Sequence, residues 1–496
     1  MTLHPFQSND IEAIFRTFET QQPGFHLLYQ LPTGGGKTVI FTQIAKRFIE
    51  QYAGRVLILT HRNELCDQTA RTLSKVGVAS KVIKSSTRIQ KQETGDCWIA
   101  MVETLNNRME ENKISITGIK LIIVDEAHHN SFRKLLEKFP DAMVLGVTAT
   151  PLSSDRSLPL NDYYHSLLVG ESIPSLIEKG HLAKPRNVTY SMDLQSLAKG
   201  SGGDFTVSSS DALYTTPALL ALIVKAYETQ SLGRKTLIFN NGIVTSQRVL
   251  HEFERHGYPI RHLDNHTPKE ERKEILQWFK KTKGAILTSV SILTTGFDEP
   301  SVQTVILNRA TTSLTLYHQM VGRGARHLRT KKTFTIIDLG NNTERFGDWR
   351  DPIDWMEIFN NPEAYHARLD ADVTAGSSKS SAMSAELRSK FPNSLEVGFD
   401  IVQAFDEAAA EGRSRKTVIE LAIRQHAQMC LENAQSISEA VQLAKDLSPE
   451  IILRTKQFAS CLGNPTRSYQ SWLSEDYARR LEGMVRRMFG KVSRAA

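Results

Sequence analysis

Short, continuous apolar runs punctuate residues 1–345, and stretches with helical periodicity separate them. The first series is His26-Leu-Leu-Tyr-Gln30, Arg55-Val-Leu-Ile-Leu-Thr60, Lys120-Leu-Ile-Ile-Val-Asp125 and Ala142-Met-Val-Leu-Gly-Val-Thr148. The second is Lys235-Thr-Leu-Ile-Phe-Asn240, Gly284-Ala-Ile-Leu-Thr-Ser289, Val302-Gln-Thr-Val-Ile-Leu307 and Thr333-Phe-Thr-Ile-Ile-Asp338. Strands without polar alternation are buried on both faces, which is the signature of a parallel sheet covered by helices. The pattern predicts two α/β domains, 1–165 and 166–345, with the border in the stretch 155–175. The Gly- and Ser-rich segment 196–216 reads as a flexible surface excursion. Residues 346–394 read as an extension and flexible linker, centred on Thr374-Ala-Gly-Ser-Ser-Lys-Ser-Ser-Ala382. Residues 395–496 carry helical periodicity and predict a small helical accessory domain, with helices over Thr417–Leu431 and Ile437–Leu447.

Composition narrows the class. The 496 residues allow two to four domains, and 40% hydrophobic with 23% charged residues is ordinary for a folded chain. A net charge of +7 suits a polyanionic partner without requiring one. Four scattered cysteines form neither a disulfide scaffold nor a zinc-ligand pair. The chain begins without a secretory signal and has no apolar run of membrane-spanning length. The expectation is a soluble, cytoplasmic protein with no membrane partner.

Four local patterns carry chemistry. Leu31-Pro-Thr-Gly34-Gly35-Gly36-Lys37-Thr38 lies between a predicted strand and a predicted helix. Glycines there let backbone N–H groups approach phosphates, Lys37 can reach the β- and γ-phosphates, and the Thr38 hydroxyl suits magnesium. An ordinary glycine-rich turn has the same composition, and Leu31 stands where the strict pattern has glycine. Asp125 and Glu126 follow a buried strand at the edge where open α/β sheets bind ligands. Asp125 suits magnesium, and Glu126 suits activation of water. A solvated strand end would look alike. The other two patterns are Thr148-Ala149-Thr150 and Gln319-Met-Val-Gly322-Arg323-Gly-Ala-Arg326. The spacing of Arg323 and Arg326 places both on nearly one face of a predicted helix.

In this order the patterns resemble superfamily 2 helicases of the DEAH type. More narrowly, they resemble the group holding the helicase part of type III restriction enzymes and XPB-like DNA translocases. The likeness covers about residues 1–345 and implies two tandem RecA-like domains with ATP between them and a nucleic-acid strand across both. It implies that Gln7 reads adenine. It implies that Thr60, Arg62, Thr104 and Thr294 grip the strand, and that Gly296 and Asp298 approach the nucleotide. Gln319, Arg323 and Arg326 then face the γ-phosphoryl group. Together with Lys37, Asp125 and Glu126, these arginines form the expected catalytic set, and ATP and Mg2+ are the expected cofactors.

RNA helicases of the related DEAD type usually carry histidine at the position of Gln319 and aspartate at that of His128. The departure favours DNA over RNA. The expected function is an ATP-dependent helicase or translocase acting on DNA. The alternatives are an RNA helicase or RNA-dependent ATPase, and an ATP-switched sensor or scaffold in a restriction or defence system. In 395–496, Arg479, Arg480, Arg486 and Arg487 lie near Trp472 and Tyr477. They suit strand binding, although a solvated helix packing its aromatics inward is the preferred reading. A protein partner through this region is also open.

Overall fold

The computed structural model describes residues 3–85, 87, 95–200, 202–294, 297–379, 383, 385–395, 397–410, 413–462 and 467–495. The first domain is a seven-stranded sheet in the order β3-β4-β2-β5-β6-β1-β7. Its strands are β1 (His26–Gln30), β2 (Arg55–Thr60), β3 (Lys81–Ile83), β4 (Cys97–Met101), β5 (Ile119–Asp125), β6 (Met143–Thr148) and β7 (Ser166–Val169). The second domain is a six-stranded sheet in the order β10-β11-β9-β12-β13-β8. Its strands are β8 (Lys184–Thr189), β9 (Thr236–Asn240), β10 (Ile260–Leu263), β11 (Ile286–Val290), β12 (Thr304–Asn308) and β13 (Thr333–Asp338). Every pairing in both sheets is parallel. Parallel neighbours need crossover helices, and these cover both faces of each sheet, giving tandem RecA-like domains followed by a helical region.

Three expectations change. The border at 165/166 cuts the first sheet, because Leu27–Gln30 pair with Ser166–Val169; the chain leaves that sheet only after Val169. Segment 196–216 is not a free excursion. The Asp204 carboxylate accepts hydrogen bonds from Thr311 Oγ1 (2.8 Å) and Thr312 N (2.8 Å) and pairs with Arg309, and a helix runs over Val207–Tyr214.

The expected linker at 346–394 is largely helical and packed, although 380–382, 384 within it lie outside the described residues. Trp349, Trp355, Ile358 and Phe359 enter the main core, and helix Trp355–Asn360 returns to β7 of the first domain. In helix Pro362–Lys379, Asp370 pairs with Arg156 and Lys199. Arg388 is fully buried over the Tyr190 ring and donates to Phe391 O and Ser394 O.

Beyond it, helices Ile401–Ala410, Lys416–Asn433, Ile437–Asp446, Ser448–Cys461 and Arg467–Ala495 form a separate apolar core. Tyr477 points into that core, its hydroxyl 2.9 Å from His426 Nδ1, so it is not a stacking platform; Trp472 stays exposed. Arg479 and Arg480 pair with Asp476 and Glu420. No single helix among the described residues is long and apolar enough to cross a membrane.

Candidate functional site

The sheet order places the ends of β1, β5 and β6 side by side, so Lys37, Asp125 and Thr148 share one edge. After β1 the chain makes a tight loop and enters helix Lys37–Tyr52. Gly36 has φ +92°, a left-handed turn that favours glycine, and a Cβ there would meet the end of the Gln7 side chain at 2.6 Å. Gln7 is buried beneath the loop. Its Oε1 accepts from His4 N (3.0 Å) and its Nε2 donates to Gly35 O (3.3 Å), which leaves one N–H and one lone pair for a base. Half-buried Lys37 donates to Leu31 O at 3.2 Å. Burial lowers its pKa, against the attraction of Glu126 and Asp125.

Asp125 ends β5 in the interior. Burial and the neighbouring Glu126 raise its pKa, while Lys37 opposes them. Glu126 has φ +54°, a conformation that costs a non-glycine residue energy. Glu126 Oε2 is buried with no hydrogen bond and stands 3.5 Å from His128 Nδ1.

Hydrogen-bond accounting fixes the His128 tautomer. The Thr148 hydroxyl donates to Thr150 O (2.9 Å), so it accepts from His128 Nδ1 (3.1 Å). His128 Nε2 is then the acceptor for Gln319 Nε2, 3.3 Å away on the second domain. Burial keeps this imidazole neutral by pushing its pKa well down. Thr150 Oγ1 donates to Thr315 Oγ1 at 2.8 Å and makes a second bridge between the domains.

The two arginines do not lie on a helix. Helix Leu314–Gly322 stops where a Cβ on Gly322 would meet Thr33 Cβ at 2.6 Å, and Arg323 and Arg326 follow in a tight turn. The turn still delivers them. Arg326 donates to Gly34 O (3.2 Å) and pairs with Asp298 (3.1 Å). Arg323 donates to Thr294 O (2.6 Å) and Phe297 O, while its Nε is buried without a partner. Burial and Arg326 push the Arg323 pKa down to about 10. Lys331, which carries no sequence signal, is buried and donates to Val302 O (2.7 Å) and Gly324 O (2.8 Å), pinning the arginine turn from behind.

The strand-gripping set separates. Thr60 is fully buried and its hydroxyl meets Arg62 O and Cys66 Sγ, so it shapes the turn and does not face a strand. The Thr294 hydroxyl is likewise spent on Ser291 O at 2.6 Å. Arg62 crosses to the second domain, donating to Ile292 O at 2.9 Å. Thr104, in the first turn of helix Val102–Glu110, is partly exposed. Gly296 lies outside the described residues.

The residues fit a magnesium nucleotide. Among the described residues no cluster of three or more His, Cys, Asp or Glu could hold a metal. Magnesium needs none, because it takes one or two carboxylates and completes its shell with phosphate and water. Asp125 and Thr38 could supply that small set. The unpaired Glu126 Oε2 could take a water's proton, and Arg323 and Arg326 could face phosphate charge.

Comparison with known proteins places the chain in a family. The family described as "Type III restriction enzyme, res subunit" matches residues 1–153, and "Helicase conserved C-terminal domain" matches 217–328. A Lactococcus phage protein described as a 51.5 kDa protein is 31% identical over 337 residues, covering 65% of this chain and 69% of that one. The chain belongs to the superfamily 2 helicases of the type III restriction-enzyme group. This is a family of ATP-hydrolysing enzymes. Its member from Saccharomyces cerevisiae, the putative ATP-dependent helicase IRC3, is 31% identical over 358 residues, 68% of this chain but 51% of the yeast protein. In fold, the chain is similar to a fragment of a putative HsdR subunit of a type I restriction enzyme from Vibrio vulnificus. The TM-score is 0.56 at 24% identity, over 70% of this chain and 66% of that one.

Proposed function

We propose that this superfamily 2 chain is an ATP-driven motor that moves along or unwinds DNA. The observation that carries the proposal is the meeting of two half-sites. Lys37, Asp125 and an unpartnered Glu126 Oε2 come from the first domain, and Arg326 reaches the phosphate loop from the second. An ATP site shared in this way ties hydrolysis to the contact between domains.

In this reading Gln7 reads adenine and Lys37 neutralises the β- and γ-phosphates. Thr38 and Asp125 hold magnesium, which when bound neutralises charge on the phosphate oxygens. Glu126 accepts the proton of the attacking water. Arg323 and Arg326 stabilise charge on the transferring group, and Gln319 with His128 reports domain closure to the acidic edge. Arg62 and Thr104 are the proposed strand contacts, and Asp298 holds Arg326.

The DNA preference rests on His128 and Gln319 at their motif positions and on the restriction-enzyme kinship. The test is the ATPase rate with single-stranded DNA, duplex DNA, branched DNA and RNA in parallel. Stimulation by a DNA and not by RNA is expected. Stimulation by RNA alone would assign an RNA-dependent ATPase, and turnover indifferent to every nucleic acid would remove the motor reading.

A further inference from the structure

Three imidazoles stand in a row beside Glu126. His61 directly follows β2, and His128 and His129 follow the acidic pair at the end of β5. The His61 and His129 rings meet edge to face with centroids 4.9 Å apart, and the His129 and His128 rings lie 4.2 Å apart. His61 Nδ1 is 3.1 Å from Ser131 Oγ, and its Nε2 is buried without a hydrogen-bond partner. At the other end, the left-handed Glu126 backbone persists only because its surroundings hold it. One of those holds is the hydrogen bond from His129 N to Glu126 O, 3.1 Å.

The loop after β2 is the far end of the row. Its Arg62 donates to Ile292 O across the cleft and is a proposed strand contact. A phosphate that drew Arg62 off Ile292 would displace its neighbour His61. The His61 ring packs edge to face on His129, so His61 cannot shift toward it without moving that ring.

We propose that His61 and His129 are positioning residues that link occupancy of the turn at His61 and Arg62 by nucleic acid to the placement of Glu126. This rests on the motor reading above. Burial holds both imidazoles below the usual histidine range, His61 at about 3, so ring packing and not charge makes the link.

The experiment measures basal ATPase, ATPase with single-stranded DNA, duplex DNA and RNA, nucleic-acid affinity and Tm. It compares the parent with His61→Ala, His129→Ala, the double variant, His61→Phe and Ser131→Ala. His61→Ala and His129→Ala should each lose about tenfold in stimulation while basal rate and affinity stay within about twofold, and the double variant should be no worse, because both residues serve one link. His61→Phe, which keeps a ring, should recover most of the loss. Ser131 is exposed, so its alanine variant does not threaten the fold; it should lose about threefold. Stimulation within about twofold of the parent in both single alanine variants would overturn the proposal. So would basal and stimulated rates falling together. A parent that no nucleic acid stimulates would instead remove the motor reading.

Discussion

The two sheets share one architecture and end differently. At the C-terminal edge of the second sheet the polar groups satisfy one another. Asn240 Nδ2 donates to Thr288 Oγ1 (2.8 Å), and Asn308 Nδ2 donates to Asn240 Oδ1 (2.8 Å). Asp338 Oδ1 accepts from Gly340 N (3.0 Å) and Asn342 Nδ2 (2.9 Å), and its Oδ2 accepts from Thr343 N (2.7 Å). Among the described residues the buried atoms left without a hydrogen bond there include the Ser289, Thr343 and Tyr190 hydroxyls and Arg309 Nε, none of them a carboxylate oxygen. At the corresponding edge of the first sheet, Glu126 leaves a buried carboxylate oxygen without a hydrogen bond on a strained backbone. Both sheets bury carboxylates at their ends. The one whose hydrogen bonds are complete holds a loop, and the one left incomplete has capacity for a ligand.

The comparison can be broken from either side, and the first sheet should give the larger effects. Glu126→Gln keeps the shape but cannot take a proton, so kcat should fall by about 10²–10⁴ while ATP still binds. Loss of ATP binding in that variant would make Glu126 structural. Lys37→Ala should cut turnover by about 10²–10³ with Tm close to the parent, since its ammonium serves phosphates and not the core. Equal turnover would remove the phosphate-loop assignment.

Asp338→Asn should do the opposite. It sets an amide against backbone N–H groups and should cost about 1–3 kcal/mol in denaturant unfolding. The ATPase rate per folded molecule should stay at the parental value, and a catalytic loss without a stability loss would erase the contrast. The smallest effect concerns Lys331, whose pKa burial lowers to about 8. Below that pH its ammonium donates to both carbonyls behind the arginine turn. As pH rises through it the amine loses the charge that strengthens both bonds, and kcat should decline by about two- to tenfold. Lys331→Met should show the lower rate across the range and lack that alkaline limb.

Much of the fold was legible because fully buried parallel strands announce themselves. The runs at 26–30, 55–60, 120–125 and 235–240 coincide with β1, β2, β5 and β9 to within a residue or so. The edge strands were not legible. Lys81–Ile83 is too short, and Lys184-Pro-Arg-Asn-Val-Thr189 mixes charge, proline and β-branched residues. The helix ends in 395–496 followed periodicity closely, with Lys416–Asn433 and Ile437–Asp446 observed.

At the site, spacing identified residues but not how they are held. Arg323 and Arg326 lie past the helix end, where Gly322 approaches Thr33, a contact between domains that no local pattern encodes. A hydroxyl at a strand end gives no sign of which way it turns, and that of Thr60 turns onto Arg62 O and Cys66 Sγ. Lys331 looks like any surface lysine in the sequence. The run Asp125-Glu-Ala-His-His129 did carry a signal in its doubled histidine, whose ring partner His61 only the fold reveals.

In the proposed motor the second domain completes the first domain's ATP site through Arg326. Measuring kcat and ATP Kd together on Arg326→Ala tests it most directly. With alanine there kcat should fall by about 10³–10⁵ with Kd nearly unchanged, because the charge that Arg326 stabilises develops in the transition state. Normal turnover at saturating ATP with weakened binding would contradict it and reduce Arg326 to a binding contact on the loop.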